Sequence, residues 1–241
     1  MKRILPFGII LLVAVVACGA GYSLYRSKLE TVFAPIPGEL SSAHPGAQPP
    51  HFRGSARAPV VIEEFGDLQC PPCSLLAGFL KQIEEDYRGK VRLVFRQHPL
   101  AMHAHAVEAA RASEAAGLQG RFWEMADLLY ETQNSWAKEA KIDQIFEQDA
   151  QKIGLDVARY KADLDSQAVL SRIGLDEERG KSLQVISTPT LFLNNQRVAQ
   201  QFMNPTSLRE AVDALVHGKK PFPVEATTPT PAPAQTATPT P

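Results

Sequence analysis

The chain has 241 residues, and its 25 basic residues are nearly balanced by 26 acidic ones. This balance leaves no basic stripe for binding nucleic acid, so no nucleic-acid partner is expected. Apolar residues make up 44% of the sequence, which is enough for a sizeable core. The three cysteines are too few for a disulfide-rich scaffold, so a close pair of them indicates chemistry rather than fold stability.

Residues 1–28 predict a membrane segment. An apolar stretch covers residues 4–25 and has basic residues on both sides. About 20 apolar residues span a bilayer as a helix, and on that length we favour an uncleaved signal anchor. The alternative is a cleaved signal, including a bacterial lipoprotein signal in which Cys18 becomes the lipidated terminus. Either way, the folded part is expected on the periplasmic, extracytoplasmic side of a bacterial cytoplasmic membrane, where disulfide chemistry takes place.

Two proline-rich segments flank the part of the chain with regular hydrophobic patterns. Residues 29–57 contain many breakers and little periodicity, so we expect a linker, with an ordered arm packed on the domain as the alternative. Residues 219–241 are rich in Pro, Thr and Ala and are expected to be disordered. The globular domain is therefore predicted over residues 58–218.

The first half of this domain has the pattern of a strand, a helix and a second strand. The apolar run at residues 60–65 predicts a buried strand, and residues 91–96 predict another. Between them, apolar side chains recur at helical spacing over residues 73–87. The short connections imply a βαβ unit with parallel strands.

Residues 103–183 predict a block of helices without strands, in which Trp123 and Trp136 are expected to fill the core. Strand signals return at residues 190–193, and an Asn-Asn pair predicts a hairpin turn into residues 197–199. The last helix is predicted from Ser207, which has capping-box spacing to Glu210, and Asn204-Pro205 is a competing start.

The sequence Cys70-Pro71-Pro72-Cys73 follows the first predicted strand and opens the first predicted helix. Unpaired backbone N–H groups at a helix start favour a thiolate at the first cysteine, and the second lies one turn further on. This placement favours a redox pair. A zinc half-site completed by histidines ranks second and an inert disulfide third, and the histidines in question are His98, His103 and His105.

Four segments resemble the DsbA-like thiol–disulfide oxidoreductases over about residues 58–218. They are the strand with its motif at 58–73, Arg96–Leu100, Gln119–Trp123 and Ser187–Thr190. The resemblance implies an α/β thioredoxin-like fold with an inserted all-helical subdomain at about 103–183, here preceded by the membrane anchor. It also implies that no cofactor is needed beyond the redox-active Cys70–Cys73 disulfide.

The resemblance assigns roles to individual residues. Cys70 is the expected nucleophile and Cys73 the resolving thiol. Glu64 lies where the family has a buried acid, so we expect it to relay the proton of Cys73, whereas Glu63 points to the opposite face as an exposed edge carboxylate. Thr188-Pro189 matches the family's cis-proline loop, whose backbone pairs with an extended substrate.

The two prolines between the cysteines are a departure from DsbA, which has a histidine there. Because Pro71 and Pro72 have no N–H groups, two potential donors near the Cys70 sulfur are missing. The pKa of Cys70 is therefore expected below the free-thiol value of about 8.5 but above about 3.5, the value of DsbA. We expect a less oxidising enzyme than DsbA.

The leading functional prediction is an enzyme that oxidises cysteine pairs in exported proteins and passes the electrons to a membrane partner, such as a quinone-linked oxidase. The same fold working in reverse, as a reductase or isomerase fed by a reductant carrier, is the first alternative. A tethered binding or chaperone module without catalysis is the second. The reduction potential of the cysteine pair distinguishes these functions.

Overall fold

The computed structural model describes residues 43–222. The predicted membrane segment, the alternative lipidation site at Cys18 and most of the C-terminal tail lie outside the described residues. Within residues 43–222, no helix is both long and apolar enough to cross a membrane. The described part is an α/β structure with one five-stranded sheet.

The sheet is built around the predicted βαβ unit. Strand β2 runs parallel to β3, and helix α1 connects them. Strand β1 lies antiparallel on the outer side of β3, while β4 and then β5 continue antiparallel beyond β2. The bounds are β1 His51–Gly54, β2 Val60–Gly66, α1 Pro71–Asp86, β3 Val91–Gln97, β4 Thr190–Leu193 and β5 Gln196–Arg197.

The helical insertion between β3 and β4 is present as predicted. Its second helix packs on an alanine-rich first helix, because small side chains let two helix backbones approach closely. Trp136 is fully buried there, and Trp123 packs beneath the Arg53 guanidinium at 4.3 Å from its ring centroid. The helices are α2 Ala106–Gly117, α3 Phe122–Glu131, α4 Gln133–Trp136, α5 Ile142–Lys152, α6 Val157–Asp163 and α7 Gln167–Ser182.

The C-terminal elements follow the prediction with two shifts. Helix α8 spans Pro205–Val216, because the Asn204 side chain caps it by accepting from Ser207 N–H at 3.0 Å. The competing helix start is therefore the correct one. Strand β5 ends at Arg197 rather than at residue 199, since the chain enters a 3-10 turn at Gln200–Phe202.

The predicted linker is wrong for residues 43–57, where the alternative, an ordered arm packed on the domain, is found instead. Strand β1 pairs with β3, and Ala47 is fully buried. The Arg96 guanidinium donates to the Ala47 carbonyl at 2.8 Å, and Asp176 accepts from Ala47 N–H at 2.8 Å. At the other end, Phe222 stacks on Phe202 at 4.6 Å, so the first residues of the predicted tail also pack on the domain.

Two large apolar clusters meet at the start of α1. One lies between the sheet, α1 and α8, and includes Leu80, Ile83 and Leu208. The other fills the helical insertion and includes both Cys70 and Cys73. The cysteine pair therefore sits at the boundary between the thioredoxin-like part and its insertion.

Candidate active site

Cys70 and Cys73 lie at the N-terminus of α1, where β2 delivers the chain. Cys70 is the residue that precedes the first turn, with extended backbone angles, and Pro71 and Pro72 occupy the first helical positions. Proline suits these positions because their N–H groups have no partner within the helix. The Cys70 carbonyl accepts from Cys73 N–H at 3.1 Å and from Ser74 N–H at 3.2 Å, which places the second thiol one turn from the first.

Both thiols are free, and their surroundings shift their pKa values in opposite directions. A hydrogen bond from the Cys73 thiol, outweighing the opposing effect of burial, lowers the pKa of Cys70 to about 6. Burial, the same hydrogen bond and the charge of Glu64 raise the pKa of Cys73 far above its ordinary value. The pair therefore consists of a ready thiolate and a thiol that holds its proton. The value for Cys70 lies between the two bounds expected from its Pro-Pro dipeptide.

Glu64 lies on β2 beneath the cysteine pair and is 2% exposed. Burial, with a further contribution from the negative charge of Cys70, raises its pKa to about 8. Its Oε1 atom has no hydrogen-bond partner among the described residues. At neutral pH this carboxyl therefore keeps a proton close to both sulfurs.

Glu63 is not the exposed edge carboxylate that strand alternation suggested. It is buried and accepts from Arg96 Nε at 2.7 Å and from Arg179 at 2.8 and 2.7 Å. Burial opposes ionisation, but the hydrogen bonds and charges of Arg179 and Arg96 outweigh it and hold the pKa of Glu63 below its usual value. The expectation was wrong because the arm before β1 and helix α7 cover this face of the sheet.

The loop before β4 faces the cysteine pair. The peptide bond between Thr188 and Pro189 is cis. The Thr188 carbonyl lies 3.5 Å from Cys70 Sγ and accepts from its thiol. The fold thus places Thr188 beside the Cys70 sulfur, although the two residues are more than a hundred positions apart in the chain.

An open apolar groove of about 290 Å³ continues from this loop along α1. Its wall on one side is the first two turns of α1, and its other wall comes from the cis-proline loop and the start of α8. Leu75 is 82% exposed at its edge. The lining residues are Pro72, Leu75, Leu76, Phe79, Pro189, Gln200, Met203 and Pro205.

The three histidines considered as zinc ligands occupy different surroundings. His98 packs edge-on against Phe65, and His103 binds the Asp67 carboxylate at 2.7 Å. The backbone N–H of His105 donates to the Gln69 side chain at 2.6 Å. Among residues 43–222, no group of three or more His, Cys, Asp or Glu side chains is arranged to hold a metal ion.

Sequence reasoning missed Asp67 as a residue of the site. Its side chain is completely buried, and its backbone carbonyl accepts from Cys70 N–H at 3.0 Å. An aspartate directly after a strand is typical of a turn, and that is the only signal the sequence offers. Its link to His103 depends on a loop more than thirty residues further along the chain.

Comparisons with known proteins agree with this geometry. A family model described as thioredoxin matches residues 47–214. Oxidised BdbD from Bacillus subtilis is similar with a TM-score of 0.62 at 22% identity, over 75% of this chain and 96% of that one. DsbA2 from Pseudomonas aeruginosa is similar with a TM-score of 0.54 at 28% identity, over 70% of this chain and 95% of that one.

The curated relatives with similar sequences are named as ion antiporters. The Na(+)/H(+) antiporter NhaA 1 of Mycolicibacterium gilvum is 33% identical over 194 residues, which are 78% of this chain and 30% of that protein. The chain thus spans a third or less of the length of the curated relatives that it matches. The family match shows that the chain belongs to the thioredoxin family, and the fold and the paired thiols make it a DsbA-like member.

Proposed function

We propose that this protein introduces disulfides into exported proteins by exchange with its own Cys70–Cys73 disulfide. The observation that carries the proposal is the asymmetry of the pair, with a lowered pKa at Cys70 and a raised one at Cys73. A thiolate that is stable in the folded protein is a good leaving group, and it stabilises the dithiol form. Both effects favour the transfer of electrons from a substrate to the pair.

The exchange proceeds in two balanced steps. A substrate thiolate attacks the sulfur of Cys70, the Cys70–Cys73 bond breaks, and Cys73 leaves with the bonding electrons and takes up a proton. A second substrate thiolate then attacks the substrate sulfur of the mixed disulfide, and Cys70 leaves as a thiolate. The substrate has lost two electrons and gained a disulfide, and the enzyme pair has been reduced.

Glu64 supplies the proton that Cys73 takes up in the first step. Burial, the largest cause of its raised pKa, is independent of the Cys70 charge, so we expect Glu64 to be protonated at neutral pH before the exchange begins. Its unpartnered Oε1 is free to form the hydrogen bond that the transfer requires. In the reverse step, when a redox partner oxidises the dithiol, Glu64 first releases its proton to solvent and then, as a carboxylate, accepts the proton of Cys73.

The groove and the cis-proline loop bind the substrate. An extended chain with apolar side chains fits a groove whose walls are mostly apolar, and the Thr188 backbone is placed beside Cys70 for pairing with it. Main-chain pairing of this kind depends little on sequence, which suits an enzyme that acts on many exported proteins. Pro71, Pro72 and Pro189 shape the opening around the sulfur.

The proposed location is the periplasmic face of a bacterial membrane, with the N-terminal apolar segment as its anchor. Residues 4–25 and their basic flanks support this location, and Cys18 keeps lipid attachment as the alternative. A membrane partner that reoxidises the pair, such as a quinone-linked oxidase, completes the cycle. A reductant carrier in its place is the corresponding partner for a reductase.

The reduction potential of the Cys70–Cys73 pair tests the direction. We expect a value between about −270 mV, typical of thioredoxin, and about −120 mV, typical of DsbA, and nearer the oxidising end. The measurement is equilibration of the full chain in glutathione buffers, with oxidation of a reduced two-cysteine peptide as the activity assay. A value at or below that of thioredoxin contradicts an oxidase and supports a reductase.

Single cysteine variants separate catalysis from a non-catalytic binding module. Cys70→Ser is expected to abolish peptide oxidation, whereas Cys73→Ser is expected to accumulate a mixed disulfide through Cys70. Cys18→Ser is the matched control, because it removes the third cysteine and leaves the pair intact. If peptide oxidation is absent in the wild type, the chain is not an oxidase of this kind.

A further inference from the structure

The Asp67 carboxylate is buried beside the active-site turn, and the hydrogen bonds it accepts within residues 43–222 come from two loops. Its Oδ1 atom accepts from Gln69 N–H at 2.7 Å, within the turn itself. Its Oδ2 atom accepts from Leu100 N–H at 2.9 Å and from the ring of His103 at 2.7 Å. The side chain of Asp67 therefore ties the turn that carries Cys70 to the loop between β3 and α2.

The position of this carboxylate matters to the reactive sulfur. The backbone carbonyl of Asp67 accepts from Cys70 N–H at 3.0 Å, so the two residues are joined within the same turn. The pKa of Cys70 is lowered, chiefly by the hydrogen bond from Cys73, and the negative charge of Asp67 is a smaller effect that opposes this shift. A hydrogen bond donated to the Asp67 carboxylate fixes its position and stabilises its charge, and so limits this opposing effect.

His103 is the side chain placed to be that donor. Because an ionised carboxylate only accepts hydrogen bonds, the ring nitrogen at 2.7 Å is assigned as the donor. The ring is 18% exposed, so it closes the polar site from solvent while its other edge remains accessible. A second bridge between the same two loops, from His105 N–H to Gln69 Oε1 at 2.6 Å, uses a backbone donor and does not depend on a histidine ring.

We propose that His103 is a positioning residue for Cys70, acting through the hydrogen bond that its Nδ1 atom donates to the buried Asp67 carboxylate. The bond holds the turn that presents the Cys70 sulfur by joining its buried carboxylate to the loop between β3 and α2. This inference rests on the proposed function of the cysteine pair, since it assigns His103 a role in setting the reactivity of Cys70. It assigns the ring no contact with substrate.

Other polar and titratable groups lie near Asp67, and the test must leave them unchanged. The Tyr130 hydroxyl on α3 donates to the Asp67 carbonyl at 3.4 Å. His98, at the end of β3, lies close enough to be influenced by the Asp67 charge, and Glu177 and Lys181 on α7 face His98 in turn. The charge of Asp67 also acts on Cys70, and Tyr130 lies within the influence of Cys73, Glu64, Asp67 and Cys70. Substitutions at position 103 leave all of these groups in place.

The test uses three substitutions of the same side chain in the full-length protein. His103→Asn keeps a nitrogen donor at the position of Nδ1, because the amide nitrogen and Nδ1 are the same number of bonds from the backbone. His103→Gln moves the donor by one methylene, and His103→Ala removes it. His105→Ala is the control, since its side chain is in the same loop and only its backbone N–H bonds to the turn.

The readout is the thiolate absorbance of Cys70 as a function of pH, together with its equilibrium constant with glutathione. We expect His103→Ala and His103→Gln to lower the thiolate fraction at pH 6 about threefold and to make the disulfide about threefold less oxidising. His103→Asn and His105→Ala are expected to match the wild type. A role confined to fold stability would move the urea midpoint without moving this pH profile.

Two results would overturn the proposal. One is that Cys70 titrates in both His103→Ala and His103→Gln at the same pH as in the wild type. The other is that Cys70 titrates in His103→Asn as it does in His103→Ala. If the Ala variant does not fold, the comparison of Asn with Gln decides the question by itself. A failure of the proposed function is distinguishable, because the thiolate of Cys70 can be titrated whether or not the wild type oxidises a peptide.

Discussion

Glu64 makes the stability of the dithiol form depend on pH in a way that can be worked out from its burial. Its pKa in the folded protein is about 8, raised from 4.5 by desolvation and by the charge of Cys70. The folded state therefore binds a proton more tightly than the unfolded state does. The stabilisation that this provides is fully present below pH 4.5 and is lost as the pH rises towards 8.

Glu64→Gln removes this dependence, because glutamine does not ionise. One pKa unit corresponds to about 1.4 kcal/mol, so between pH 4.5 and pH 7 the free energy of unfolding of the wild type should fall about 3 kcal/mol further than that of the variant. The measurement is urea unfolding of the reduced proteins at both pH values. In the disulfide form the difference should be smaller, since the Cys70 charge is absent.

The adjacent substitution Glu63→Gln is the matched control. The pKa of Glu63 is held below its usual value by Arg179 and Arg96 against the effect of burial, so its stabilisation is present above pH 4.5 and is lost as the pH falls. Glu63→Gln should therefore destabilise the protein most at neutral pH. A difference for Glu64→Gln smaller than about 0.5 kcal/mol would refute the raised pKa and with it the proton relay.

Three further outcomes are expected. The rate of alkylation of Cys70 should reach half its maximum near pH 6, because only the thiolate reacts; a midpoint near 9 would contradict the lowered pKa. Arg96→Met should lower the free energy of unfolding by about 3 kcal/mol or more in urea titrations, since Asp176 loses its buried arginine partner and Glu63 loses one of its two arginines. Gly66→Ala should lower the free energy of unfolding by about 1–3 kcal/mol, because the added Cβ would lie 2.5 Å from the Phe95 ring. Gly78→Ala is the control and should leave the stability unchanged or raise it, because there is open space around Gly78. Equal changes in stability for the two variants would exclude the clash at Gly66.

The main elements of the fold could be predicted because their signals are local. The apolar run of β2, the helical spacing of α1 and the Asn-Asn turn before β5 depend only on neighbouring residues. The turn has positive φ at both residues, Asn194 and Asn195, as such a hairpin requires. Element ends were less certain, since the start of α8 was decided by which side chain caps it.

The arm before β1 and the environment of Glu63 could not be predicted because their signals are distant. Nothing near Ala47 in the sequence shows that Arg96 and Asp176 bind its backbone. Proline-rich composition indicated a linker, yet the contacts that order this segment come from β3 and α7. The burial of Glu63 follows from the same contacts, because the arm covers the face to which Glu63 points.

The sequence by itself determined that the chain has a redox-type cysteine pair at a helix start, since spacing and the preceding strand are local properties. Only the tertiary structure decided how that pair is tuned. The burial of Glu64, the approach of the Thr188 carbonyl and the bond from His103 to Asp67 all join segments far apart in the chain. A pKa depends on the charges, hydrogen bonds and water around a group, and these are set by packing rather than by neighbours in sequence.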